Sequence, residues 1–362
     1  MHLSYCTNVH PAEDLAGIVT QLDTYAVRVR AHLDADVLGL GLWLAAPVAA
    51  ELAADPGARR RLRRELDARG LEVVTLNGFP YKSFQAPVVK HAVYHPDWTS
   101  RERLDYTLNL ARVLVDLLPE NAERGSISSL PLAWRTPWDA GRSSATARHL
   151  DDLVAGLAAL DRPVRVAFEP EPGCVVENTA QAVEQFAGLD HRWLGVCLDL
   201  AHLAVAWEDP ATALARLRAA GVPVVKVQLS AALEAADPLA SAEVLRAYVE
   251  PRFLHQTRSA LGPYADDLDE ALDRRLPGPW RIHYHVPLHA TPEAPLTATT
   301  GVLRDAVREL LSGGDCDHFD VETYTWGVLP ESQRPRDDAG LAAGIAAELA
   351  WARDLLAAEV TR

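Results

Sequence analysis

Cysteine is scarce in this chain of 362 residues: four stand at Cys6, Cys174, Cys197 and Cys316, scattered and with no CxxC pair. That spacing argues against a disulfide framework and against a zinc ribbon. Cys6, Cys174 and Cys197 lie in or beside strand-like runs and read as small core residues. Basic charge is also short. Lys and Arg number 35 against 50 Asp and Glu, a net charge of −15. A general nucleic-acid surface is therefore not expected, although a local basic pocket for a phosphate is compatible with the balance. Long apolar runs are missing. The most apolar window, Val37 to Ala50, is too short for a bilayer and contains Gly39, Gly41 and Pro47, so it reads as a buried strand running into a helix and no membrane insertion is expected. The opening MHLSYCTN lacks the basic-then-apolar pattern of a secretory signal, which makes the cytoplasm the expected location. No repeat, low-complexity tract or linker breaks the chain.

What is present is ordinary globular composition, 49% hydrophobic and 23% charged. Strand-like runs alternate with amphipathic stretches. HLSYCTNVHP, VLGLGLWL, LEVVTLNGFPY, GSISSLPLAW, VRVAFEPEPG, LGVCLDLAH and VVKVQLS are the strand candidates. Helices are predicted from Ala12 to about Arg30, through the arginine-rich run between Pro56 and Gly70, through RERLDYTLNLARVLVDLL, ATARHLDDLVAGLAAL and PATALARLRAAG. The fourth strand is predicted to end near Trp134, and the long loop through Lys82, His91 and His95 has the size that often carries function. Seven β-α units without a composition break predict an α/β fold, one (β/α)8 TIM barrel over residues 1–362. Residues 230–300 are expected to form an insertion after strand seven with an additional strand. Two runs compete to close the barrel, WRIHYHVPLH and HFDVETYTWGVLP.

The stretch from Val164 to His202 organises the chain. Two short apolar runs, VRVAFEPEPG and LGVCLDLAH, each stop at carboxylates. Glu169 and Asp199 are about 30 residues apart, the length of one β-α-β unit. They are predicted at the ends of two parallel strands, with His202 one turn beyond. Carboxylates and an imidazole at C-terminal strand ends make a metal or acid-base constellation. The blander alternative is that the acids cap the helices that follow.

Other polar residues at predicted strand ends join them: Asn8, His10, Trp43, Asn77, Trp134, Glu171, Lys226, Gln228, His283, His285, Glu322, Tyr324 and Trp326. His283 and His285 form an HxH pair that can place two imidazoles on one metal. The oxygen and nitrogen donors, with no thiolate, suit Mn²⁺, Mg²⁺, Co²⁺ or Zn²⁺. The tryptophans and tyrosines either stack on a sugar ring or simply pack.

EPEPG, DLAH and ETYTW resemble the ends of strands in the xylose-isomerase-like barrels, which include sugar isomerases, ketose epimerases and endonuclease IV. YCTNVHP, KVQLS, FLHQ, HYHVPL and VETYTWGVLP resemble, more narrowly, the metabolite-traffic proteins called EboE, over nearly the whole chain. The resemblance implies that Glu169, Asp199, a strand-seven residue and Glu322 hold one divalent metal, with His202 on the substrate or on a second metal. That strand-seven position is usually His and reads Gln228 here, which leaves His255, or His283 and His285, to supply the imidazole.

These readings converge on metal-dependent isomerisation or epimerisation of a sugar, polyol or sugar phosphate, in the biosynthesis or traffic of a small metabolite. Glu169 and Glu322 are the expected acid and base, and Glu169, Asp199, His202, His285 and Glu322 the expected metal ligands. Asn8, His10, Trp43, Asn77, Glu171, Lys226, Gln228, His255, His283, Tyr324 and Trp326 are expected to bind substrate. A small sugar-like or polyol-like molecule is the expected partner, and a homo-oligomer is compatible with the sequence. Two rivals stay open: a metal-dependent hydrolase such as a phosphodiesterase, and a non-catalytic metabolite-binding barrel.

Overall fold

The computed structural model describes residues 1–360. In chain order the strands are β1 (His2–Cys6), β2 (Leu38–Trp43), β3 (Leu71–Asn77), β4 (Gly125–Ser129), β5 (Val164–Phe168), β6 (Leu194–Asp199), β7 (Val224–Leu229), β8 (Ala232–Ala235), β9 (Thr257–Ser259), β10 (Tyr264–Ala265), β11 (Trp280–His285), β12 (Thr297–Ala298) and β13 (His318–Val321). Eight of them close a parallel barrel in the order β1-β13-β7-β6-β5-β4-β3-β2. Helices cover its outside, so strands such as VVKVQL and LGVCLD are buried along their whole length. The apolar runs that looked continuous in sequence are continuous because both of their faces are covered.

The competition to close the barrel is decided for His318–Val321. Phe319, Asp320 and Val321 pair with Val227, Gln228 and Leu229 on one side, and His2 to Tyr5 pair with His318 to Val321 on the other. The HxH strand β11 goes elsewhere. It is the middle of a second, antiparallel sheet in the order β10-β9-β11-β8-β12, all of it lying in sequence between β7 and β13. A register shift between Ile282 and His285 bends β11 where its two histidines stand.

Two sequence boundaries move. The fourth strand stops at Ser129, not Trp134, because Leu130–Pro131 turns and Leu132 takes a positive φ of 71°. Trp134 instead bridges Cys174 in the loop after β5. The first helix starts at Leu15, capped by Asp14, whose Oδ1 accepts from Gly17 N at 2.8 Å. It continues to His32 through one wider π-type turn at Leu22–Ala26.

Below the mouth the barrel interior holds a buried ion pair. Lys226 Nζ lies 2.8 Å from Asp320 Oδ2, and Ser4 Oγ donates to Asp320 Oδ1 at 2.7 Å. Gly41 makes the room: a Cβ there would stand 2.1 Å from Asp320 Oδ2. Removing one partner leaves a bare charge in the core, which typically costs about 3–5 kcal/mol, whereas removing both is much cheaper. Asp320→Ala is therefore expected to lower urea-unfolding stability by about that amount, and Lys226→Met with Asp320→Leu to recover most of it. An Asp320→Ala protein as stable as wild type would remove the ion pair from this account.

Candidate active site

The C-terminal ends of the strands carry the chemistry, as barrel geometry dictates. Glu169 follows β5 directly, Asp199 ends β6 and Glu322 follows β13. All three are buried. Asp199 also caps the short helix Leu200–Val205, its Oδ1 accepting from His202 N and from Ser230 Oγ, each at 2.8 Å. Capping and site chemistry are thus not alternatives here. One oxygen caps and the other, Oδ2, is buried with no partner among the described residues. Glu322 Oε1 accepts from Asn8 Nδ2 at 2.7 Å and Asn77 Nδ2 at 2.9 Å. Glu169 Oε2 is buried without a partner.

Three histidines face these acids. His202 Nδ1 lies 3.0 Å from Pro170 O and 3.6 Å from Glu169 Oε1. His283 Nδ1 lies 2.8 Å from Gln256 Oε1, and Gln256 Nε2 donates to Tyr94 and to Pro172 O. His285 Nδ1 lies 2.7 Å from Glu322 O. Each ring therefore carries its hydrogen on Nδ1, fixed by an acceptor, and presents the Nε2 lone pair, the arrangement that orients imidazole ligands. His285 Nε2 has no partner. His202 Nε2 and His283 Nε2 stand 2.9 Å apart, so two lone pairs face each other unless a proton or cation lies between or beside them. The Tyr324 hydroxyl, 3.2 Å from His283 Nε2, supplies one donor.

Burial decides the charge states. It holds His202 down at about 4 and His283 well below the usual imidazole range, and lowers His285 as well. All three are neutral, the form that binds metal. It pushes Glu322 up to about 8 and Glu169 well above the usual carboxylate range, and repulsion from the neighbouring carboxylates adds to both. Glu171 is also raised to about 8 by burial, although Tyr94 and Gln256 donate to its Oε1 at 2.6 and 3.2 Å.

Ligand-type atoms lie within 4.8 Å of one another in three groups: Glu169, Asp199 and His202; Asp199, His285 and Glu322; His202, His283 and His285. Partnerless atoms on Glu169, Asp199 and His285, together with this nitrogen and oxygen donor set, fit a divalent cation of the Mn, Mg, Co or Zn kind. The pocket above them encloses about 500 Å³, including space open to solvent.

Asn8, Asn77, Glu169, Glu171, His202, His283, His285, Glu322 and Tyr324 all line that pocket. Six expected residues do not, and Asp199 lies just beneath it. His10 turns outward, bonding the Tyr5 hydroxyl at 3.2 Å and stacking 4.0 Å from Tyr25. Trp43 donates to Pro80 O and packs behind Phe84. Lys226 is consumed by Asp320. Gln228 lies in register between Asp199 and Asp320, fully buried, with both amide atoms unpartnered. His255 stands behind the site, bridging His283 O at 2.9 Å and Glu250 Oε1 at 2.8 Å. Trp326 bonds Glu348 Oε2 on the far side of the loop after β13. Strand parity identifies which residues share a side but not how deep in the barrel each one sits. Sequence reasoning did not single out Tyr94, Ser230 or Gln256, which position Glu171, Asp199 and His283. Ser230 and Gln256 stand in the quoted motifs KVQLS and FLHQ, the only signal that pointed near them.

With that geometry in hand, the comparisons with known proteins place the chain. Residues 31–238 match the xylose isomerase-like TIM barrel model. The chain belongs to the xylose isomerase-like TIM barrel family. Solved structures with this fold include a xylose isomerase-like TIM barrel protein from Mycobacterium smegmatis in complex with magnesium, 13% identical, covering 99% of this chain and 97% of that one at TM-score 0.57. D-psicose 3-epimerase from Clostridium cellulolyticum, with D-tagatose, is 13% identical over 98% of this chain and 99% of its own, at TM-score 0.55. A putative sugar phosphate isomerase/epimerase from Anabaena variabilis is 15% identical over 99% and 98%, at TM-score 0.54. At such identities the likeness is one of fold. No curated protein matches the chain.

The raised carboxyl groups give a test with a definite sign. Their folded values exceed their unfolded ones, so the metal-free protein is favoured below about pH 4.5 and loses that contribution as pH rises towards 8. A cation must displace the same protons. Mn²⁺ affinity is therefore expected to rise between pH 6 and pH 8 with proton release, measured by calorimetry in buffers of different ionisation heat. Asp199→Ala is expected to abolish stoichiometric metal by elemental analysis, and His285→Ala to weaken it. Metal uptake without proton release at pH 6 would contradict the protonated cluster.

Proposed function

We propose that this protein is a metal-dependent isomerase or epimerase of a small sugar- or polyol-like molecule carrying a carbonyl beside a hydroxyl-bearing carbon. The observation that carries this reading is the set of partnerless atoms on Glu169, Asp199 and His285 beneath a pocket flanked by two buried acids. Glu169, Asp199, Glu322 and His285 would hold the cation, with His202 at the same rim. When bound, it supplies Lewis acidity towards two adjacent substrate oxygens. The names of the epimerases sharing this fold, and the magnesium bound by one neighbour, support the same reading. So do the EboE-like motifs, which suggest a role in the biosynthesis or traffic of a small metabolite.

Glu169 and Glu322 do the proton work. They leave strands three positions apart around the barrel, β5 and β13, with β6 and β7 between, and so reach a ligand from different sides. One takes the proton from the carbon beside the carbonyl and the other returns it. Burial raises both acids towards neutral pH, where a carboxyl group can either give or accept a proton. Asn8 and Asn77 fix one Glu322 oxygen and leave the other for the reaction. His202 and His283, neutral and hydrogen-bonded through Nδ1, are placed to accept a substrate hydroxyl proton at Nε2.

A second reading has one observation in its favour. The group of His202, His283 and His285 offers three imidazole nitrogens, a set that suits an additional cation and hence metal-assisted hydrolysis. Metal stoichiometry separates the two: one ion per chain accords with the isomerase, two or three with the hydrolase.

Glu322→Gln keeps the oxygen that Asn8 and Asn77 hold and removes the base. It is expected to retain metal and ligand while losing about 10²–10⁴-fold in turnover. In D2O the wild type is expected to place deuterium on the substrate carbon and the variant to fail. Isomerisation without deuterium would indicate a hydride shift and reassign Glu322 to ligand holding alone.

A further inference from the structure

The pocket has two chemically opposite halves. Its floor is polar: Asn8, Asn77, Glu169, His285 and Glu322 converge there, with His202 and Glu171 beside them. Its roof is apolar, made by Phe84, Val89, Val93, Phe253, Leu254 and Tyr324. Phe84, Phe253 and Tyr324 form a ring cluster with centroids 4.8–5.4 Å apart, separate from the main core. A sugar can lay one C–H face on a single ring, and a roof of three rings with Val89, Val93 and Leu254 offers more apolar surface than that contact uses.

The roof is built, not incidental. Apart from Tyr324, which follows β13, it comes from two segments, the loop after β3 and the stretch before β9. These are joined by backbone bonds: Val89 N and Lys90 N both donate to Arg252 O, at 2.7 and 2.8 Å. Gln85 clamps them further, accepting from Arg252 Nη1 at 3.1 Å and donating to Asn8 O at 2.6 Å. The first segment is anchored below by the buried guanidinium of Arg103, which donates to Pro96 O, Gly78 O and Phe79 O at 2.8–2.9 Å.

Charge points the same way. Among the described residues no arginine lines the pocket, and its one lysine, Lys90, is tied to Asp267 and to Glu250 O. The floor is crowded with carboxyl groups. A phosphate monoester would meet acids below and an apolar roof above, with no free cation of the chain to receive it.

We propose that this site takes an uncharged, two-ended substrate: a carbonyl-bearing polyol end on the acid and histidine floor, and a flat apolar group, such as an aryl ring, under Phe84, Phe253 and Tyr324, with phosphate esters disfavoured. This rests on the isomerase reading above for the identity of the polar end. A matched series tests it on the Mn²⁺-loaded full chain: D-fructose, D-fructose 6-phosphate and 6-O-benzyl-D-fructose, titrated by calorimetry. Burying one ring is expected to make the benzyl ether bind about 10- to 100-fold tighter than fructose, and the phosphate to bind more weakly than fructose. Phe253→Ala and Phe84→Ala are expected to shrink the benzyl-to-fructose affinity ratio within the same variant, and Phe253→Leu to restore much of it; unchanged Mn²⁺ content and thermal midpoint establish that the variants are folded. A phosphate that binds tighter than fructose, a benzyl ether no tighter than fructose, or a ratio indifferent to both phenylalanines would overturn the proposal. Benzyl preference without isomerisation would leave this inference standing and sink the isomerase reading. Isomerisation with phosphate preference would do the reverse, and a chain that binds none of the three would sink both.

Discussion

Carboxyl groups that repel one another in a low-dielectric pocket are the constraint on which the site depends. Glu169, Asp199 and Glu322 are each buried at the barrel mouth. Like charges that close together cannot all ionise unless something positive or protic compensates. Glu322 responds by holding its proton up to about pH 8, and Glu169 by holding its own well above the usual carboxylate range. The chain offers only partial relief: two asparagine amides on Glu322, one serine hydroxyl and one backbone amide on Asp199. Lys226 stands too deep, committed to Asp320. The partnerless acceptors beside a neutral imidazole are what the proposed cation would balance.

The second sheet makes this barrel different from a bare one. Without it the mouth would hold acids, asparagines and His202, but neither the HxH pair nor Gln256. β11 carries His283 and His285 over the strand ends, and both rings line the pocket. The sheet is also tied to its surroundings by second contacts: His255 to Glu250 and to the His283 carbonyl, Tyr284 hydroxyl to Val328 O at 2.7 Å. Those bonds hold the histidines at fixed depth, which a loop alone would not do. The same segment brings Phe253 and Leu254 to the roof, so polar chemistry and apolar cover arrive together.

Much of this was legible in the sequence, for identifiable reasons. Runs of apolar residues ending in acids predict parallel strands in a barrel, and the structure places Glu169, Asp199 and Glu322 at one end of one. His283 and His285 share a side because strand parity is strict. What parity cannot give is depth. Lys226 and Gln228 have the same parity as pocket residues of neighbouring strands but sit below the mouth, His10 lies beyond the end of β1, and Trp43, the last residue of β2, turns its ring to Pro80 and Phe84. The closing strand was undecidable from pattern, since WRIHYH and HFDV are equally strand-like. Backbone pairing of Phe319, Asp320 and Val321 with Val227, Gln228 and Leu229 settles it, and that is a contact between residues nearly a hundred positions apart. Tyr94, Ser230 and Gln256 escaped notice because a single hydroxyl or amide in a loop carries no pattern of its own.

The central claim is that one divalent cation completes the acid cluster. Anomalous scattering from crystals grown with Mn²⁺ tests it most directly, because the signal reports position rather than activity. The account predicts one strong peak bounded by Glu169, Asp199, Glu322 and His285, at about 2.0–2.3 Å from their oxygen and nitrogen atoms, as hard-cation coordination requires. A map with no peak there at saturating Mn²⁺, or with peaks only at surface carboxylates, would contradict it.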